Sequence, residues 1–256
     1  MELVGLALHT GVEPFSSKIL WIHVWHSNRN PQLILTYYLD VVDNLGFIPL
    51  VTQSDPGSEN FGIANAQTML HQWHDPALEG TLQHQWMCSR KNIKPEIMWS
   101  QLCHHFTPGF ESLLDNGVHQ GCVLPTFMNP EHKLIFVLLF SMIFQWIFIP
   151  WLQEELDSYC DHVNHTAKWH DHNKILPHRV AELIFDSPQD YGKFSLSQFI
   201  SANLTDPTAH VCELYVDANH PVFDLVPHAL NAHLEECYNI LGHPAITHFT
   251  IWDVYP

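Results

Sequence analysis

The chain has 256 residues, enough for one full hydrophobic core or one core with a helical extension. Apolar residues make up 46% and charged residues 14%, a balance that excludes a disordered chain. Acids number 27 and bases 10, for a formal net charge of −17. Duplex-binding surfaces draw most of their affinity from Lys and Arg on phosphates, so this balance argues against strong DNA binding.

In chain order, residues 3–9 (LVGLALH) and 18–25 (KILWIHVW) read as two strands joined by a turn at Gly11-Val12-Glu13-Pro14. Asn30-Pro31 opens a helix, because proline suits the first helical turn. Leu33, Ile34, Tyr37, Tyr38, Val41, Val42 and Leu45 follow at helical spacing, and Gly46 closes the element. Residues 47–52 (FIPLVT) read as a short buried strand ending at Asp55-Pro56-Gly57. The next helix spans 60–72, with Asn60 or Ser58 as its cap. Strand, strand, helix, strand, helix is an α/β layer pattern. A second helical region covers 92–115, broken at Thr107-Pro108-Gly109, and a long helix covers 133–163. Beyond about residue 170 the chain is rich in Pro, Asp and His and reads as irregular, with a final helix near 228–241.

Within the long helix, Leu134 to Trp151 is nearly all apolar. At 1.5 Å per residue it reaches roughly 27 Å, just short of a typical hydrocarbon core. Ser141, Gln145 and Pro150 interrupt it, so a buried helix is expected in preference to a membrane span. Met1-Glu2-Leu3-Val4 lacks the basic start of a signal peptide. Six scattered cysteines with no CxxC fit free thiols in a reducing, intracellular compartment. The 21 histidines charge near pH 6.5 and below, so acid should change the field of this protein more than usual.

Two acids stand out by context. Asp55 ends a strand, and Glu96 opens a helix about forty residues later. Phosphodiester chemistry with two Mg²⁺ ions needs carboxylates that bracket metals about 3.5–4 Å apart. A strand-end Asp and a Glu on a helix packed over the same sheet can supply them. Taken singly, Asp-Pro-Gly is first a turn signal, and an acid after Pro95 suits any helix start. His71/His74, His23/His26 and His162/His165 have HxxH spacing and His170-Asp171-His172 is HxH, but spacing supplies no third metal ligand. Packed or surface histidines are the expected outcome. Trp73, Trp86, Trp99, Trp146 and Trp151 read as core and interface residues.

From residue 5 to about 194 the chain resembles the integrase-core proteins found in many copies in fungal genomes, relatives of retroviral integrases and transposases. Residues 5–25 resemble the second and third strands of that family, and Asn28 to Asn60 its helix and Asp strand. Arg90-Lys91-Asn92-Ile93-Lys94-Pro95-Glu96 resembles the segment that presents the family's catalytic Glu. Trp99-Ser100-Gln101-Leu102, Phe106 to Glu111, Phe148 to Asp157 and Asn173 to His178 continue the match. The resemblance implies an RNase H-like mixed sheet flanked by helices. Residues 1–125 would form an incomplete catalytic core, 126–195 its helical extension, and 196–256 an irregular tail with one helix.

It also implies Asp55 and Glu96 as surviving catalytic and metal ligands for Mg²⁺ or Mn²⁺, with Lys91 and Lys94 as phosphate contacts. The family's first catalytic Asp lies on a strand ahead of the one that opens this chain, so that strand and its carboxylate are expected to be missing. Cys103-His104-His105 stands where relatives are basic, and Glu13 where they carry Asp. A degenerate DNA strand-transfer core without activity is therefore the leading expectation. DNA would be its ancestral partner, weakly held now; the nucleus would be its compartment if that role persists, and a homo-oligomer is open. The alternatives are a non-catalytic interaction or structural protein on the same fold, or a membrane-associated protein anchored through 134–151.

Overall fold

The computed structural model describes residues 2–3, 6–87, 93–119, 130–167, 176–177, 179–192 and 205–255. The architecture is mixed α/β and mostly helical, with two small sheets. In the first sheet β1 (Glu2–Leu3), β2 (Leu6–Val12) and β3 (Ile19–Trp25) are antiparallel and adjacent in that order. The β2–β3 hairpin pairs Ala7 with Trp25 and His9 with His23, and slips register between Gly11 and Val12. The turn lies later than expected, because Glu13 builds it. Its carboxylate accepts from Phe15 N at 2.8 Å and Ser16 N at 2.6 Å, leaving Gly11 and Val12 in the strand.

Helix α1 (Pro31–Leu45) has the expected ends. Asn30 accepts from Gln32 N at 2.8 Å, and Gly46 closes the helix at φ 70°, a left-handed backbone that glycine adopts without strain. The strand expected at 47–52 is instead β4 (Thr52–Ser54). Pro49 explains the shift: it lacks an N–H for a ladder, and its carbonyl is taken by Gln67 Nε2 at 2.6 Å and His71 Nε2 at 2.8 Å. A 3₁₀ turn (Ser58–Asn60) leads into α2 (Phe61–His74), and Asn60 makes no capping bond, against expectation. β5 (His84–Trp86), which shows no strand signal in the sequence, pairs parallel with β4 in register Thr52–His84 and Ser54–Trp86. The expected single mixed sheet is thus two separate sheets among the described residues.

α3 (Ile93–His105) and α4 (Thr107–His119) divide the helical region where Pro108 starts a new helix. The long helix α5 (Pro130–His165) extends a few residues beyond the expected bounds and contains Pro150. Short helices follow where irregular chain was expected, α6 (Ala181–Asp186), α7 (Thr205–Tyr215) and α9 (Ile251–Val254), while α8 (His228–Ile240) is the helix expected near 228–241.

The described residues hold two apolar cores. One holds Leu6, Ile19, Ile22 and Val24 against Phe144, Phe148, Leu152 and Leu156 of α5, with α3, α4 and the C-terminal Ile251 and Tyr255. The other packs Ile34, Leu35, Tyr38 and Val42 of α1 on Ile63, Ala66 and Leu70 of α2, with Val211 of α7.

α5 also closes the outer edge of β3. Asn164 accepts from Ile19 N and donates to Ile19 O, both at 2.9 Å, and Gln153 accepts from Val24 N at 3.0 Å and donates to Ile22 O at 2.9 Å. Two side-chain amides, eleven residues apart on the helix, thus satisfy backbone groups that an open edge would offer to another strand. Among the described residues Val137–His165 is long and apolar enough to cross a membrane, and 33% of its most apolar window is buried. The buried part lies in the sheet core, whereas Leu138 and Leu139 are exposed.

Candidate functional site

β4 carries Asp55 out at its C-terminal end, and the turn Asp55-Pro56-Gly57 points the chain into α2. Asn60, almost fully buried, donates from Nδ2 to Asp55 Oδ1 at 3.0 Å, spending on this carboxylate the side chain expected to cap the helix. Across from it His9 of β2 accepts from the Trp21 indole N–H at Nδ1 (3.1 Å). An indole can only donate, so His9 is neutral with its proton on Nε2. Burial pushes its pKa down to about 4, while the neighbouring Asn60 amide and Asp55 carboxylate pull the other way. His23 and Tyr37 complete this aromatic layer between hairpin and α1, their rings 4.1 Å apart. Burial lowers the His23 pKa, opposed by Gln153, Asp157 and Asp40, and raises that of Tyr37.

Directly before Asp55, the ring of His84 bridges the two parallel strands. Nδ1 lies 2.9 Å from Thr52 Oγ1 and Nε2 lies 3.1 Å from Ser54 Oγ. Ser54 Oγ donates onward to the Asp55 carbonyl at 2.9 Å. With the Ser54 proton so used, His84 donates from Nε2 and accepts at Nδ1 from Thr52. Every group is then satisfied, and Ser54 is held as a structural acceptor and not as an activated nucleophile.

The other sequence-marked residues do not join this group. Glu96 is on the first turn of α3, exposed, and makes no hydrogen bond or ion pair with any described residue. Lys94 donates to Ser17 Oγ at 2.5 Å, tying α3 to the β2–β3 turn. Lys91 lies outside the described residues, as do Cys88, Cys122, the His170-Asp171-His172 stretch and most of Asn173 to His178. Among the described residues no three His, Cys, Asp or Glu side chains stand close enough to hold a metal ion. Asp55 accepts from Asn60, and Glu96 makes no bond with it. Of the HxxH histidines, His71 bonds the Pro49 carbonyl, His165 sits beside Asp161, and His23 belongs to the aromatic layer.

The tryptophans divide. Trp99, Trp146 and Trp151 pack into the first core, and Trp86 stands edge-on to Phe61. Trp73 is half exposed beside His210. Sequence reasoning missed His9, Asn60 and His84. Their signal was weak: single polar residues inside strand-like or cap-like context, whose partners are far along the chain or across a loop.

Comparison of the chain with protein-family models, with curated proteins and with solved structures finds no match.

Proposed function

We propose that this chain is a degenerate integrase-type core of RNase H-like descent that, as this 256-residue chain, does not carry out DNA strand transfer. The supporting observation is the order of elements that delivers Asp55: an antiparallel hairpin, a helix, then a strand whose C-terminal end presents the carboxylate, followed by a second helix. That is the order the resemblance assigns to the Asp strand. Three further features favour loss of the reaction over its retention. Asp55 is engaged by Asn60, Glu96 is exposed and makes no bond to it, and the net charge of −17 opposes phosphate binding. The same features favour a present role as a non-catalytic interaction protein on this scaffold.

The test uses the whole chain. Mn²⁺ at millimolar concentration should broaden the amide signals of Ser54 to Gly57 selectively, and Asp55→Ala should abolish this. Uniform or absent broadening would remove Asp55 as a metal ligand and favour the non-catalytic interaction protein over the integrase-type core. A labelled duplex incubated with the protein in Mg²⁺ or Mn²⁺ should give no strand-transfer product; product that disappears in Asp55→Ala would overturn the inactive half of the reading.

A further inference from the structure

The parallel pair β4–β5 is short, three residues on each strand. Such a ribbon has little stability of its own and needs side-chain ties. Gln53 to Gln85 (2.9 Å) is an exposed tie, whereas His84 is the buried one, 5% exposed, with both ring nitrogens bonded across the pair. The groups that act on its ring are two hydroxyls and the indole of Trp86, 4.4 Å away centre to centre. β4 and β5 carry no other titratable side chain, and α2, packed on both strands, contains no Asp, Glu, Lys or Arg. Of the α2 histidines, His71 is bonded to Pro49 O, and His74 stands at the helix end. Among the described residues no carboxylate bonds the His84 ring.

We propose that His84 is an acid-sensitive latch: its neutral imidazole holds β5 on β4, and protonation releases the pair together with the Asp55 turn that follows β4. The released state solvates the imidazolium, which the closed pair cannot. Burial lowers the His84 pKa in the closed pair, in the direction this requires. Closure is therefore complete above about pH 6.5 and weakens as pH falls towards the depressed value, by no more than about tenfold per pH unit for one proton. The latch is independent of any metal at Asp55, so the two proposals fail separately.

Hydrogen exchange of the whole chain at pH 7.5 and pH 5.5, corrected for intrinsic rates, tests it. Protection of the Gln85, Trp86 and Met87 amides should fall several-fold at pH 5.5, while the amides of α1 lose less. His84→Gln, which cannot charge, should show no such fall. Equal protection at both pH values, or a fall that persists in His84→Gln, overturns the latch. Should His84→Gln not fold, the ring signals of His84 in the unaltered chain decide: a titration midpoint below 6.5 is required, and one at or above it overturns the latch.

Discussion

His9 and Asn60 show how single side chains tie this molecule together. His9 sits on β2 but takes its hydrogen bond from β3 and lies against the loop after β4, so its neutral state joins three segments. The sign of its pH dependence follows from the depressed folded value of about 4 against an ordinary 6.5. An unfolded chain binds the proton first, so the stability supplied by neutral His9 is complete above pH 6.5 and is lost as pH falls towards 4. For this one site the loss amounts to about 2 kcal/mol between pH 7.5 and pH 5. Urea denaturation at those two pH values should show a loss of stability at pH 5, and His9→Gln should reduce it. An unchanged pH slope in the variant would mean that His9 is charged in the fold. Gly62 is another single point of control. A Cβ there would lie 2.3 Å from the Pro31 carbonyl oxygen and 3.0 Å from Leu35 Cβ, where α1 and α2 touch. Gly62→Ala should therefore cost about 1–3 kcal/mol through overpacking, read as a lower urea midpoint, despite alanine's better helix propensity.

Among the elements, the pairing of α5 with β3 carries the most weight. Residues 153 to 164 of a helix rise about 16 Å, and five steps of a strand span a similar length. Amides at 153 and 164 therefore meet backbone groups at 24, 22 and 19 in one antiparallel pass. Asn164→Ala strands both the N–H and the carbonyl of Ile19 in a buried place. It should destabilise the fold by about 2–4 kcal/mol, since each orphaned buried group costs roughly 1–3 kcal/mol. Calorimetry and urea midpoints would measure this, and light scattering should detect self-association once the β3 edge is freed. A variant with native stability and no association would show that water replaces the amide at no cost. Gln153 lies in Phe148 to Asp157, a stretch expected from sequence to continue an integrase-core pattern. In this fold its amide works on the edge of the sheet and not at the candidate site.

For the whole molecule, charge governs what can bind. With 27 acids, 10 bases and histidines neutral, the protein repels a polyanion at neutral pH. Fluorescence anisotropy with a labelled duplex at 150 mM salt should give a Kd weaker than about 10⁻⁴ M, the weak end of non-specific binding. The chain carries 21 histidines, so affinity should rise on acidification. Tight binding at pH 7.5 would point to a concentrated basic surface that the total charge conceals. The second feature at this scale is the C-terminal segment. Trp252 donates to the Leu113 carbonyl at 2.9 Å, and its indole lies over Gly117, while Ile251 and Tyr255 are buried with α5. Residues that read as an irregular tail therefore complete the first core, and removal of 251–256 should expose Phe148 and lower stability markedly.

What the sequence by itself determined are the elements whose signals are local. Asn30-Pro31 and Gly46 bound α1 almost to the residue, because caps act within a turn. The hairpin strands, the break before α4 and the span of α5 were legible from periodicity and proline placement in the same way. The tertiary structure alone decided β5, the division into two sheets, the sealing of β3, and the company of Asp55. A three-residue strand such as His84–Trp86 has too few residues to show a period, and it exists because β4 and α2 receive it. Asp55 and Glu96 were legible as isolated acids, but whether two carboxylates meet depends on packing between elements about forty residues apart. That packing gives Asp55 to Asn60 and leaves Glu96 in solvent, because a buried amide satisfies a carboxylate locally while an exposed glutamate has water.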